Sequence, residues 1–239
     1  MENKKLLTFG FILGASLIIG TAIIAWSLIT IKASVDQISV SGSDRQRVTS
    51  DSVKWTGSFS RIVLKSEINN GYVQMKKDEA DLTKFLKNNG VKDEEINIYP
   101  VFMSEVYKND QNAPREYTLN QTVEVRSSEV EKIKNLAKNI QPLIDKGVFF
   151  STNALEYYYT KLADMRISML PEAIKDAKAR ADKIAEGSGK QIKSIKTVDM
   201  GVVQVLSPNS VDISDYGNYD TSSVEKEIMI TVKVIFNLK

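Results

Sequence analysis

Beyond residue 37 the chain alternates apolar and polar positions over long stretches, whereas the segment from Leu6 to Ile31 is apolar throughout. Alternation with period two is the signature of a half-buried strand. "QISVSGSDRQRV" and "SVKWTGSFSRIVLKSEI" show it, with Val53, Trp55, Phe59 and Val63 on one face and the polar "TSD" (Thr49 to Asp51) as a tight connection. That pattern predicts a hairpin. From Gly71 to Asn88 the spacing changes to that of a helix, with Met75, Leu82, Phe85 and Leu86 in a stripe and Gly90 suited to a left-handed cap. "EEINIYPVFMSEVY" and "REYTLNQTVEVRS" return to strand, joined by the polar turn "KNDQNAP"; in the second, Leu119, Gln121, Val123 and Val125 share a face.

Ser128 and Glu131 stand at capping-box spacing before a helix that carries Val130, Ile133, Leu136, Ile140 and Ile144, with Pro142 bending or tightening its last turn. "GVFFSTNALEYYYTKL" follows as a strand. The next helix, Pro171 to Ile192, places Leu170, Ala173, Ile174, Ala177, Ala181, Ile184 and Ala185 in one stripe, with charged residues opposite. Pro171 suits its first turn, and Gly187 and Gly189 its end. "QIKSIKTVDMGVVQVL" and "VEKEIMITVKVIFNLK" close the chain as strands around a polar insertion, Ser207 to Ser223. The order is ββαββ followed by αβαββ, an α+β fold of antiparallel strands with packed helices after an N-terminal transmembrane helix. No break rich in Pro, Gly or Ser divides residues 33–239, so they read as one extracytoplasmic domain behind the anchor at 1–32.

The leading segment changes the picture most. As a helix, Leu6 to Ile31 would extend roughly 39 Å, enough to cross a hydrocarbon core of about 30 Å with some tilt. Trp26 suits an interfacial position. The run is longer than the apolar region of a cleavable signal sequence, and "IKASVDQ" offers a poor cleavage site, so the segment reads as an uncleaved anchor; a cleaved signal or a buried helix are the alternatives. Lys4, Lys5 and the amino terminus outweigh Glu2, which keeps the N-terminus cytoplasmic. The chain then contacts the lipid bilayer through residues 6–31 at the inner membrane, with its main body periplasmic or extracellular. Gly10 and Gly14 form one G-x-x-x-G, a helix-packing spacing common by chance.

Composition removes chemistry. Cysteine and histidine are both absent, which excludes disulfides, thiol nucleophiles, histidine bases and the usual zinc or haem ligands. A net charge of +2 is too small for a phosphate-binding surface, so no nucleic-acid partner is expected. Asp212, Asp215 and Asp220 hint at calcium but miss EF-hand spacing. Tyr157 and Tyr159 share one strand face and Tyr158 the other, as sheet packing or an interface requires. Lys92 to Glu95 read as a turn, and Asn120 to Thr122 as a glycosylation triplet inside a strand. No catalytic, cofactor-binding or metal-ligating residue stands out, so the chain is read as not an enzyme, without a cofactor.

"EAIKDAKARADKIAEGSGKQIKSI" resembles the signature helix of the SIMPL domain, A-x-x-x-A-x-x-K/R-A-x-x-[IL]-A followed by a glycine and a strand. "ISVSGSDRQRVTSDSVKW", "FLKNNGVKDEEINIYPVF", "REYTLNQTVEVRS", the helix to "LIDKGV" and "VEKEIMITVKVIFNL" resemble further pieces of that family in its order, from Ile38 to Lys239. Ser43 stands where a second glycine is typical, Ser50 replaces the usual proline before Asp51, and "STNALEYYYTKLADMR" is less typical. Bacterial members include periplasmic immunogenic proteins and proteins tied to oxidative-stress defence, some of which form large homo-oligomeric rings or shells; an animal member is associated with kinase signalling. The resemblance therefore implies a non-catalytic self-assembling or binding module, a homo-oligomer with a role in envelope or oxidative stress. The alternatives are a ligand-binding or enzymatic periplasmic domain, and an adaptor for a membrane protein partner.

Overall fold

The computed structural model describes residues 2–33, 36–110 and 113–239. Ser34 and Val35 of "IKASVDQ", and Gln111 and Asn112 of "KNDQNAP", lie outside the described residues. The fold is α+β: α1 (Glu2–Ala33), β1 (Gln37–Thr49), β2 (Ser52–Leu64), α2 (Ile68–Asn88), β3 (Ile96–Ile98), β4 (Phe102–Glu105), β5 (Glu116–Ser127), α3 (Val130–Lys138), α4 (Gln141–Ile144), β6 (Phe150–Tyr158), α5 (Leu162–Gly187), β7 (Ile192–Met200), β8 (Gln204–Leu206) and β9 (Glu225–Leu238). Two compact units are formed, one from Met1–Asp44, Ser168–Val202 and Ile230–Lys239, the other from Arg45–Ile167 and Val203–Met229. Because β1, α5 and β9 each run from one unit into the other, no linker composition marks the division.

In the second unit, β3-β5-β2-β6 form an antiparallel sheet, with β4 also on β5. Its inner face supplies Val53, Trp55, Phe59, Leu119, Val123 and Val125; α2 adds Met75, Leu82 and Leu86, and α3 adds Ile133 and Leu136. Trp55 and Phe150 meet edge to face, ring centroids 5.5 Å apart. Gly57 lies beneath that ring, where a Cβ would clash with Phe150.

The expected β1–β2 hairpin does not form. β1 lies beside β9 in a different sheet, ordered β1-β9-β7 with β8 also on β9, while β2 pairs with β5 and β6. Alternation and a short polar connection serve a sheet switch as well as a hairpin. At the corner, the Ser50 amide donates to the Val224 carbonyl (2.9 Å), and the Asp51 amide to Tyr158 O (3.0 Å). A proline at Ser50 would have no N–H for the first of these bonds. Asp51 completes the corner by accepting from the Thr160 amide and hydroxyl at 2.7 and 2.9 Å.

Other local expectations shift too. Pro100 separates β3 from β4, so the "EEINIYPVFMSEVY" strand is two short ones. The Ser128–Glu131 capping box is absent: α3 starts after Glu129 without a side-chain cap, and Ser127 Oγ accepts the Glu129 amide (3.1 Å). Pro142 does not tighten the end of α3 but opens the separate turn α4. Helix α5 begins at Leu162, which leaves Pro171 inside it. The carbonyl that loses its partner belongs to Ile167, itself exposed, where water can serve instead.

Candidate functional site

In the first unit, α5 buries Met169, Ala173, Ala177, Ala181 and Ala185, and the strands bury Val40, Ile230, Val232, Val234 and Phe236. The expected stripe holds for its alanines, while Ile184 is 54% exposed. Close approach depends on Gly42, where a Cβ would strike the Ala173 carbonyl oxygen and the Ala177 nitrogen and lie 2.7 Å from Ala177 Cβ. Next to it the Ser43 amide donates to Asp176 Oδ2 (2.9 Å). Asp176 also pairs with Arg180 (2.9 Å). The Ser43 amide first, then Arg180, hold its carboxyl below the usual range.

That hydrogen bond fixes which strand edge is open. Asp36, of even number, accepts from the Leu238 amide on β9, while odd-numbered Ser43 points away from β9 to α5. Backbone groups alternate edge along a strand, so Ser39 and Ser41 direct their N–H and C=O to the side without a strand. Together with Val40, Ala179, Arg180, Lys183 and Ile184 they line a groove of about 760 Å³. At the opposite margin of the sheet, β7 carries Ile195, Val198 and Met200, all exposed, and Val202 follows, also exposed.

The second unit contains the buried polar groups. Lys226 is fully buried, and its ammonium donates to the carbonyls of Asp220 (2.5 Å) and Ser223 (2.9 Å), with the Asp220 carboxylate 3.8 Å away. Burial pushes the lysine pKa down, against the pull of Asp220. Burial would likewise raise the Asp220 carboxyl, but hydroxyl and amide donors from Ser222 and Ser223, with Lys226, outweigh it and hold the group at about 2. With two carbonyl acceptors from Asp220 and Ser223, the Lys226 side chain acts as a clasp for the 207–223 insertion. Asp212 and Asp215 are exposed and do not converge with it, and no metal-capable cluster occurs among the described residues.

A second clasp joins strand to helix. Arg61 Nε and Nη2 donate to the Asp78 carboxylate at 2.5 and 2.8 Å, and Nη2 also reaches Gly147 O at 3.3 Å. The Arg61 guanidinium is held charged by its hydrogen bond to Asp78. Gln121, expected on the inner face, is buried there and donates to Glu79 Oε2 (2.7 Å) and Tyr99 O (3.1 Å). Tyr157 enters the core, and Tyr158 packs on Tyr219 with centroids 5.9 Å apart. Within "KDEE" the Glu95 carboxylate accepts the Lys92 amide (2.9 Å), closing a turn, and Asn120 lies within β5.

Lys226 and Arg61 carried a readable signal. Lys226 keeps the parity of Ile228, Ile230 and Val232, and Arg61 that of Phe59 and Val63, so both were bound to face inward. Gly42 carried none beyond its residue type.

A comparison with curated proteins gives no match. The family model described as "SIMPL: Protein of unknown function (DUF541)" matches residues 38–236. That match covers the strands, the alanine helix and both clasps, and the chain accordingly belongs to the SIMPL family.

Proposed function

We propose that the chain is a single-pass module of the inner membrane, N-terminus inside and main body periplasmic or extracellular. It works by binding protein surfaces, copies of itself among them, and not by catalysis. The Phe9–Ile29 helix, with mean hydropathy 2.2 and none of its apolar window buried, supports the anchor, and Lys4 and Lys5 support the orientation. One observation carries the binding role: β7, the outer strand of its sheet, exposes Ile195, Val198 and Met200, with Val202 beyond. An uncovered apolar row on an edge strand favours association. Without cysteine, any part in oxidative-stress defence is indirect.

The test is the mass of the full-length chain in detergent, measured by light scattering with the micelle subtracted. A discrete multimer is expected, converted to monomer by Val198→Asp with Met200→Asp. A strict monomer at high concentration sinks the self-assembly reading.

A further inference from the structure

The open edge of β1 and the insertion at 207–223 are complementary. The groove presents the outer edge of β1 at Ser39 and Ser41, an apolar floor from Val40, Ala179 and Ile184, and a basic rim from Arg180 and Lys183. The insertion presents Val211 and Ile213, exposed at 84% and 56%. Asp212 lies between them and Asp215 follows, both exposed. The backbone N–H and C=O groups of Val211 and Ile213 have no partner among the described residues.

The ends of this short stretch are held: the Ser210 amide donates to Ser207 O (3.1 Å), and Gln204 Nε2 donates to Ser214 O (2.5 Å). A segment already pinned at both ends loses less freedom on docking. Its length also fits, since Ser39 to Ser41 offers a three-residue edge and this fold elsewhere uses the three-residue strands Ile96–Ile98 and Gln204–Leu206.

We infer that the groove between β1 and α5 receives Val211–Asp215 of a second copy as an added strand. The inference rests on the self-assembly reading and names one of its contacts. Main-chain bonds to Ser39 and Ser41 supply the pairing, and Val211 or Ile213 meets Ile184. Asp215, on the same strand face as Val211 and Ile213, meets Arg180 and Lys183, while Asp212 lies on the other face beside the side chains of Ser39 and Ser41. Both cations now sit in solvent-exposed pairs, with Asp176 and Glu186, which exchange partners readily. Charge decides against β7 as the occupant, because Lys193 and Lys196 would bring further cations to a basic rim.

The absence of cysteine gives a clean test. Full-length Ser41→Cys and Asp212→Cys chains, whose side chains share the face of the strands turned away from α5, are separately tagged, mixed in detergent and mildly oxidised; Ser39→Cys covers the neighbouring register. A disulfide-linked heterodimer with both tags is expected, and a Ser60→Cys control in place of Ser41→Cys should give none. Adding Asp215→Lys to the Asp212→Cys chain should cut the yield about fivefold or more, with partial recovery on adding Lys183→Glu to the Ser41→Cys chain. A multimer by light scattering with no heterodimer overturns this contact and leaves self-assembly standing; a monomer with no heterodimer overturns both. A yield indifferent to charge reversal also refutes the pairing as described.

Discussion

Replacing Lys226 with methionine isolates the worth of the buried ammonium, because the two side chains are close in length and the cavity left is small. Two charge-assisted hydrogen bonds, to Asp220 O and Ser223 O, are lost. The Asp220 carboxylate also loses the buried cation 3.8 Å from it. Such bonds contribute about 1.5–3 kcal/mol each. Against this, methionine has no charge to desolvate, and that penalty is what lowers the lysine pKa. The balance is an expected loss of about 2–4 kcal/mol, on the scale of breaking one side of a buried pair. Asp220→Asn in the same chain removes the stranded charge and should recover about 1–2 kcal/mol relative to the sum of the single changes. Urea unfolding followed by Trp55 fluorescence reads this directly. Trp55 is 1% exposed and lies in the same unit, and Trp26→Phe removes the other of the two tryptophans. If Lys226→Met is as stable as its parent, the clasp is not what secures the insertion.

Acid should act through Asp220. Its carboxyl, at about 2 when folded, lies below an unfolded value of about 3.9. The stability it contributes is therefore complete above about pH 4 and is lost as pH falls to 2, up to about 2 kcal/mol. Asp220→Asn should flatten the stability curve in that window, and an unchanged slope there refutes the assignment. Gly42→Val should break the approach of α5 to β1 and cost about 3 kcal/mol or more; hydrogen exchange across residues 168–187 should rise sharply, and protection equal to the parent's would contradict the packing. Arg61→Met leaves the Asp78 carboxylate, 6% exposed, without its fork and should cost about 3 kcal/mol in urea titration. Arg61→Lys should keep part of that, and equal losses would mean the fork geometry is irrelevant. Protease added to cells stripped of their outer layers should digest the body of the chain; a body cut only after permeabilisation reverses the proposed orientation.

Much of the secondary structure was legible because periodicity reports which face of an element is covered. α2 buries Met75, Leu82, Phe85 and Leu86 as its spacing required, and β9 buries Ile228, Ile230, Val232, Val234 and Phe236 without interruption. Gly90 takes the left-handed conformation expected of a helix cap, with φ 77°. The misreadings are of another kind. A polar triplet between two alternating strands says that the chain turns but not which sheet it turns into. A serine three residues before a glutamate can form a capping box only if the chain enters the helix at that serine, and here it enters one residue later. The upstream extension of α5 was hidden because Pro171 looks like a beginning and not an interruption.

The candidate site was less legible than the fold. Parity pointed Lys226, Arg61 and Gln121 inward, but their partners come from elements far along the chain or from a loop with no periodicity. The groove at β1 is made from the absence of a neighbour, which a sequence does not record.

The sequence by itself determined the apolar leader, the α+β class, the inward face of most strands and helices, and the family. These follow from patterns within about ten to twenty consecutive residues, where burial imposes a period of two or 3.6. Only the tertiary structure decided that β1 joins β9 instead of β2, that Lys226 is clasped by Asp220, and that Ser39 and Ser41 are left with an open edge. Pairing depends on which distant backbone satisfies a given N–H and C=O, and that competition is settled across the whole fold at once.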